Sequence, residues 1–446
     1  MNTDRRAQAP ADASPDVLTG PVRLFVPAAG GTEGLLAEEL SRLLGRPAQT
    51  DRGGVWAEGD AATAMAINLG SRLAQRVLWP LASGPYRDEH DLYALARRVP
   101  WPAWITPRHT LRVDVNAHAS PLRSLNFAAL RIKDAVCDAL REATGERPNV
   151  DTHRPDVPLV LYVGPDHASL YADTSGEALF KRGWRDARGG REDVKGEAPL
   201  KETLAAAMLA AAGWQGRAED GPLLDPCCGA GTIAIEAAQI ACGMAPGLHR
   251  RFAFETMPPF AHPRWREAWQ ALRRQAADRV HPPQVAVYAG DVSFRMTDFA
   301  QRNAERAGVA HAIEFKTADA LQRMPPAERG VMLLNPPYGE RIAPKGRGSA
   351  AHERTPGFGP AARLAAPPMA ASREGFEGSA DGSVFFSALA AHWKRHYPGW
   401  TAWLLSPEMK LPSLMRLKES ARVPLWNGPI ECRMFRFELV AGSARG

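Results

Sequence analysis

The chain has 446 residues, 45% hydrophobic and 23% charged, which suits a globular protein of two or three domains with core enough to fold unaided and excludes a fibrous or low-complexity chain. Its formal charge of +6, carried mostly by arginine, leans towards a polyanionic partner. The five cysteines (Cys137, Cys227, Cys228, Cys242, Cys432) form no Cys-x-x-Cys pair and no cluster with histidine, which argues against a disulfide framework or zinc site and for a reducing compartment.

Met1 to Gly20 is polar and rich in Ala, Pro and Asp, without the apolar core of a signal peptide, and is expected to be a disordered tail. No stretch approaches the length of a membrane span, so a cytoplasmic protein is expected. Residues 21–105 then read as a small α/β unit: strand at Val22 to Pro27, helix from Gly34 with leucines at helical spacing, strand at Gly53 to Ala57, helix from Ala61 to Leu69. Over 106–180 the pattern sharpens. Leu111 to Val115 alternates as a strand should, Asn126 to Arg141 is an amphipathic helix bearing Arg131 and Lys133, and Leu159 to Val163 and Ala168 to Asp173 read as two further strands. This order resembles the THUMP domain, an RNA-binding module of RNA-modifying enzymes.

Residues 181–197 form a basic linker with Lys181, Arg182, Trp184, Arg185, Arg188 and Arg191, guanidiniums and an aromatic face suited to phosphates and unstacked bases. Trp184 is expected to plug a domain interface, and the arginines to meet RNA. The run Lys181-Arg182-Gly183-Trp184-Arg185, followed by Gly196-Glu197-Ala198-Pro199-Leu200-Lys201-Glu202, resembles the THUMP-to-methyltransferase junction of the RlmL family, enzymes that methylate guanine N2 in 23S ribosomal RNA. The charged loop between the two motifs departs from the family pattern.

Beyond it, 198–440 reads as one α/β domain. After a helix at Leu200 to Ala212, Leu223-Leu224-Asp225 is a strand that enters the turn Pro226-Cys227-Cys228-Gly229-Ala230-Gly231 and a helix from Thr232. Gly229 and Gly231 let the backbone approach a ligand, and the helix N-terminus can receive an anionic group. Gly229-x-Gly231-x-x-Ala234 also satisfies the dinucleotide fingerprint, but no second strand ending in an acid follows about 20 residues on. A long helical insertion, Ala241 to Pro283, intervenes, and the strand arrives at Val285 to Asp291. Asp291 is then a candidate for ribose hydroxyls, and Asp319, at the end of the strand from Ile313, for the adenine amine. Cys227 and Cys228 have no histidine beside them and are expected to be packing residues.

The apolar run Val331 to Leu334 stops at Asn335-Pro336-Pro337-Tyr338, because two prolines neither continue a ladder nor start a helix. The Asn335 carboxamide oxygen and the Pro336 carbonyl can both accept from one NH2 group, with Tyr338 as a flat face beside them. The motif resembles the catalytic motif of S-adenosylmethionine (SAM)-dependent amino-methyltransferases. Residues 343–382, rich in Gly, Ala, Pro and Ser, are expected to be a disordered insertion. A helix from Ser383, a strand at Thr401 to Ser406 and a hairpin turning at Asn427-Gly428 close the domain.

The RlmL resemblance covers Val22 to Leu439. It implies an α/β class I methyltransferase domain with an antiparallel final hairpin, preceded by an α+β THUMP-containing RNA-binding region. It also implies SAM as cofactor, no metal, and methylation of a guanine N2 amine in 23S rRNA or a pre-50S particle. The implied contacts are Glu197, Pro199, Asp225, Gly229, Gly231, Thr232, Asp291, Asp319 and Asn335 for the cofactor. Asn335, Pro336, Pro337 and Tyr338 are implied for catalysis. The second methyltransferase half of some relatives, which makes 7-methylguanine, is not expected of this chain. The alternatives are a transfer-RNA guanine-N2 enzyme, an adenine-N6 DNA enzyme, which would not need the THUMP module, and a non-catalytic ribosome-assembly factor.

Overall fold

The computed structural model describes residues 17–18, 20–185, 200–336 and 380–440. The tail (except 17, 18 and 20), Arg188, Arg191, Glu197, Pro199, Pro337, Tyr338 and residues 343–379 of the expected insertion lie outside them.

The N-terminal half contains β1 (Val22–Pro27), α1 (Glu33–Leu44), β2 (Gln49–Asp51), β3 (Gly54–Gly59), α2 (Ala61–Gly70), β4 (Leu78–Pro85), α3 (Glu89–Ala96), α4 (Trp101–Trp104), β5 (Thr110–Ala117), α5 (Leu125–Thr144), β6 (Asn149–Val150), β7 (Val157–Val163) and β8 (His167–Asp173). The strands form one sheet in the order β2-β3-β1-β4-β8-β7-β5-β6. The joining strand is β4, which pairs antiparallel with both β1 and β8. Its sequence, with Pro80 and Gly84, does not read as a central strand. Pro80 has no N–H to give, and the pairing with β8 slips between Pro80 and Ala82 where the ladder would need one. In α5, Ala128, Ile132, Ala135, Val136 and Leu140 are buried at helical spacing, and Gly145 ends the helix with φ +83°.

The C-terminal half contains α6 (Glu202–Ala211), β9 (Leu223–Asp225), α7 (Thr232–Ala241), α8 (Pro263–Asp278), β10 (Val287–Asp291), α9 (Phe294–Arg306), β11 (Ile313–Thr317), β12 (Gly330–Leu334), α10 (Ala380–His396), β13 (Trp400–Ser406), α11 (Leu411–Met415), β14 (Ala421–Asn427) and β15 (Ile430–Glu438). The sheet order is β11-β10-β9-β12-β13-β15-β14. The first five strands run parallel, and β15 and β14 close the edge antiparallel. The hairpin turns at Asn427-Gly428, with Gly428 at φ +64°. The chain enters at β9 in mid-sheet, winds out through β10 and β11, then returns to lay β12 on the other flank of β9. The crevice for a ligand therefore opens between the carboxyl ends of β9 and β12.

One apolar core runs from the N-terminal sheet through α6 and α7 to one face of this second sheet. A separate cluster, with Phe386, Trp393 and Phe437, fills the other face. The joint between the halves also contains buried charge. Glu236, on α7 and fully buried, is held by Arg182 Nε at 3.0 Å and Arg72 Nη1 at 3.3 Å. Arg182 also donates to the carbonyls of Leu179 and Arg72, both at 2.7 Å. No helix among the described residues is long and apolar enough to cross a membrane.

Candidate active site at the carboxyl edge of the parallel sheet

Four adjacent parallel strands each deliver one predicted polar residue to the same edge: Asp225 from β9, Asp291 from β10, Asp319 just beyond β11 and Asn335 just beyond β12. Met332 lies beside Leu224, so Asn335 and Pro336 stand past the end of β9, one strand from Asp225.

Asp225 is 1% exposed and, among the described residues, accepts from the Cys227 amide alone, at 3.3 Å. Burial, reinforced by the nearby Asp291 carboxylate, pushes its pKa up to about 8; the Cys227 amide and the Arg323 guanidinium pull the other way. Asp291 braces the glycine turn, accepting from the Gly229 amide at 3.1 Å with one oxygen and from Ser293 at 2.9 Å with the other. Asp319 accepts from the Leu321 amide at 2.9 Å. Cys227 lies among the three carboxylates, and burial and their charge push its thiol far up, which removes it as a nucleophile near neutral pH. Asn335 Oδ1 is buried and has no hydrogen-bond partner among the described residues.

Facing these acceptors is the turn itself. Gly229 and Gly231 have φ of +50° and +83°. A side chain at Gly231 would come within 2.9 Å of Ala300, whereas at Gly229 nothing lies within 4 Å, so the turn is open on the ligand side. The free amides of α7 begin at Thr232, where no side chain caps the helix. An edge lined with carboxylates and an unsatisfied amide oxygen, closed by a helix N-terminus, matches a ligand that bears an ammonium, hydroxyls, an exocyclic amine and one carboxylate. Among the described residues there is no group of acids, histidines and cysteines that could hold a metal.

The arginines expected to meet RNA are placed differently. Arg182 is a correction: it is 4% exposed and its guanidinium is consumed by Glu236 and two carbonyls at the joint. Arg185 turns inward to Glu202 (2.7 Å), Thr232 Oγ1 (2.5 Å) and the Leu200 carbonyl (3.1 Å). Trp184, buried at 4%, plugs the joint. Lys181 pairs with Glu177 at 3.0 Å and Lys133 with Asp134 at 2.8 Å, while Arg131 lies over Tyr93.

Sequence reasoning passed over three groups of residues here. Arg323 is buried behind β10, donates to the Ala289 carbonyl at 3.3 Å and supplies a positive charge near Asp225. Asn303 donates to the Ala230 carbonyl of the turn at 2.9 Å. The exposed flank of α8 carries Arg266, Gln270, Arg273 and Arg274 at the i, i+4, i+7, i+8 spacing of one helix face, a signal readable in the sequence. Arg273 lies over Trp269 at 5.7 Å and Arg264, near the start of the helix, over Trp265 at 4.4 Å.

Three family models match the chain in succession: the RlmL ferredoxin-like domain over residues 23–78, the THUMP domain over 86–173 and the RMKL-like methyltransferase domain over 188–355. The chain is 33% identical over 425 residues to the ribosomal RNA large subunit methyltransferase K/L of Shewanella baltica (strain OS195), covering 95% of this chain and 54% of that protein. It is equally similar, 33% over 426 residues, to the protein of that name from Psychromonas ingrahamii, with 93% and 50% covered. The chain thus spans about half the length of the curated relatives it matches. Among solved structures, a possible methylase from Clostridium difficile 630 matches with TM-score 0.76 and 25% identity over 96% of this chain and all of the other. A predicted N6-adenine-specific DNA methylase from Listeria monocytogenes matches with TM-score 0.73 and 26% identity, over 94% and 96%. A methyltransferase complexed with SAH has the same fold, at TM-score 0.76 and 24% identity over 95% and 99%. The chain therefore carries, in order, an RlmL ferredoxin-like domain, a THUMP domain and an RMKL-like methyltransferase domain of the class I fold.

Proposed function

We propose that this protein transfers a methyl group from SAM to the exocyclic N2 amine of a guanine in 23S ribosomal RNA, within free rRNA or a pre-50S particle in the cytoplasm. The observation that carries the reading is Asn335 Oδ1, buried without a partner among the described residues, at the edge where Asp225, Asp291 and Asp319 converge. A buried amide oxygen left unpaired is costly, and an incoming NH2 group removes the cost.

SAM supplies the methyl group, bonded to a positive sulfur that makes it transferable. Asp225 is assigned to the ammonium of its methionine portion, whose positive charge would offset the burial that raises the carboxyl's pKa. The amides from Thr232 onward suit its carboxylate, Asp291 its ribose hydroxyls and Asp319 its adenine amine. Glu197 and Pro199 belong to the same proposed cofactor set, and Pro337 and Tyr338 to the proposed catalytic motif.

The amine of guanine is a weak nucleophile because its lone pair is delocalised into the ring. Acceptance of both N–H groups, by Asn335 Oδ1 and the Pro336 carbonyl, favours the pyramidal nitrogen that attacks the methyl carbon. The nitrogen–carbon bond forms as the carbon–sulfur bond breaks. The surplus proton leaves to water, since the methylated ammonium is strongly acidic.

The target amine lies on the Watson–Crick edge, so the base must leave its helix at a cost of a few kcal/mol, and the rest of the protein must grip the surrounding RNA. With Arg182 buried, the proposed phosphate surface comprises Lys133, Lys181, Arg188, Arg191 and the α8 stripe of Arg266, Arg273 and Arg274.

The test is nucleoside mass spectrometry after incubating the purified chain and isotopically labelled SAM with 23S rRNA, total tRNA and duplex DNA in separate reactions. Label in N2-methylguanine from 23S rRNA supports the proposal. Label only in tRNA establishes the transfer-RNA alternative, label in N6-methyladenine of DNA the activity named for the Listeria neighbour, and no SAM binding at all a non-catalytic assembly factor.

A further inference from the structure

We infer that Arg185, seconded by Arg306, is a positioning residue for the cofactor turn, through which the N-terminal half sets the affinity for SAM. The inference rests on the methyltransferase reading above and goes beyond it, because it assigns to the junction a part in cofactor binding in place of RNA contact.

The turn from Cys228 to Thr232 is a poor candidate for holding its own shape. Two of its residues have positive φ, and the helix that follows has no side-chain cap. Its conformation is fixed from outside by four hydrogen bonds. The Cys228 amide donates to the Gly290 carbonyl at 2.7 Å and the Gly229 amide to Asp291 at 3.1 Å, both within the sheet edge. The other two trace back to the junction. Arg185 donates to Thr232 Oγ1 at 2.5 Å while the same guanidinium is oriented by Glu202 at 2.7 Å and the Leu200 carbonyl at 3.1 Å. Asn303 donates to the Ala230 carbonyl at 2.9 Å, and its own carbonyl oxygen accepts from Arg306, whose Nε donates to the Trp184 carbonyl at 2.9 Å.

The junction is in turn fastened to the N-terminal half. Arg182 donates to the Arg72 carbonyl at 2.7 Å, and Trp184 is buried beside it. Hydrogen bonds thus tie Arg182 to Arg72 on one side of the junction, and Trp184 and Arg185, two and three residues further along the same stretch of chain, to both sides of the glycine turn on the other. A guanidinium is suited to this place because its rigid plane sets Nε against Glu202 and Nη2 against Thr232 and the Leu200 carbonyl, whereas an ammonium gathers its donors on one atom at the end of a flexible stem.

Arg185→Ala, Arg185→Lys and Arg306→Gln test it in the full-length chain. The assays are calorimetric titration with SAM, the methylation rate of rRNA at saturating SAM, and rRNA binding across a salt series. Arg185→Ala should raise the SAM dissociation constant about tenfold, the size of one charge-assisted hydrogen bond. Arg185→Lys should fall between it and the wild type, and Arg306→Gln should shift in the same direction. The rate at saturating SAM should stay near that of the wild type, and the salt dependence of rRNA binding should keep its slope, neither of which follows from general loss of structure. Should Arg185→Ala not fold, Arg185→Gln keeps much of the stem while removing the charge and the reach to Thr232, and should give the same shift. SAM affinity equal to wild type in Arg185→Ala, or rRNA binding that weakens with a shallower salt slope, overturns the inference and makes Arg185 an RNA ligand. Failure of the wild type to bind SAM overturns the methyltransferase reading and this inference together.

Discussion

Arg182 separates two accounts of the junction. Its side chain is 2% exposed, and replacing it with methionine, which keeps most of the volume, removes the Nε contact to Glu236 and the donors to the Leu179 and Arg72 carbonyls. Glu236, with no exposure, retains only Arg72 at 3.3 Å. Breaking a buried ion pair from one side costs about 3–5 kcal/mol, and because Arg72 still offsets part of the charge the lower end, about 3 kcal/mol, is expected. Urea titration followed by tryptophan fluorescence measures it, since Trp184 is buried at the same joint. The folded fraction of Arg182→Met should bind rRNA with the wild-type salt slope. A variant as stable as the wild type that has lost rRNA affinity and a unit of salt slope would refute the burial argument and restore the arginine to the RNA surface.

Asp291→Ala should raise the SAM dissociation constant at least about tenfold, because it removes both a hydroxyl acceptor and the brace on the Gly229 amide; unchanged affinity in a titration would contradict the placement. Separating residues 200–446 from the N-terminal half leaves Glu236 without either arginine, so that fragment should fail to bind SAM, and a fragment that binds it as the whole chain does would count against the joint. Burial pushes Glu202 up to about 7 despite the Arg185 guanidinium beside it. Its folded pKa is raised, so its stabilising contribution is complete below its ordinary value of 4.5 and is lost as pH rises through 7. Glu202→Gln should therefore flatten the fall in thermal stability between those limits, and parallel curves for variant and wild type would refute the assignment.

Much of the site was legible because its signals are local. Asp225, Asp291 and Asn335 each follow an apolar run with strand character, and the rule that ligands meet an α/β sheet at its carboxyl edge brings them together without any contact being known. What the sequence did not reveal depends on direction. An arginine in a linker looks the same whether it faces RNA or a buried carboxylate, and Arg182 and Arg185 face inward. A clue was present: Glu236 sits in Thr232-Ile233-Ala234-Ile235-Glu236-Ala237-Ala238, apolar all round, and a lone acid in such a helix demands a cation from elsewhere. β4 was hidden for a different reason. Its Pro80 and Gly84 violate the local pattern of a central strand, and only the slipped pairing with β8 accommodates them.

Asn335 is assigned to the target amine rather than to the cofactor. Single-turnover methylation of 23S rRNA by Asn335→Ala, at saturating SAM and RNA, tests it most directly. SAM affinity should stay close to wild type while the transfer step slows at least about a hundredfold, the loss of one acceptor worth about 3 kcal/mol in the transition state. Transfer at the wild-type rate would contradict the assignment.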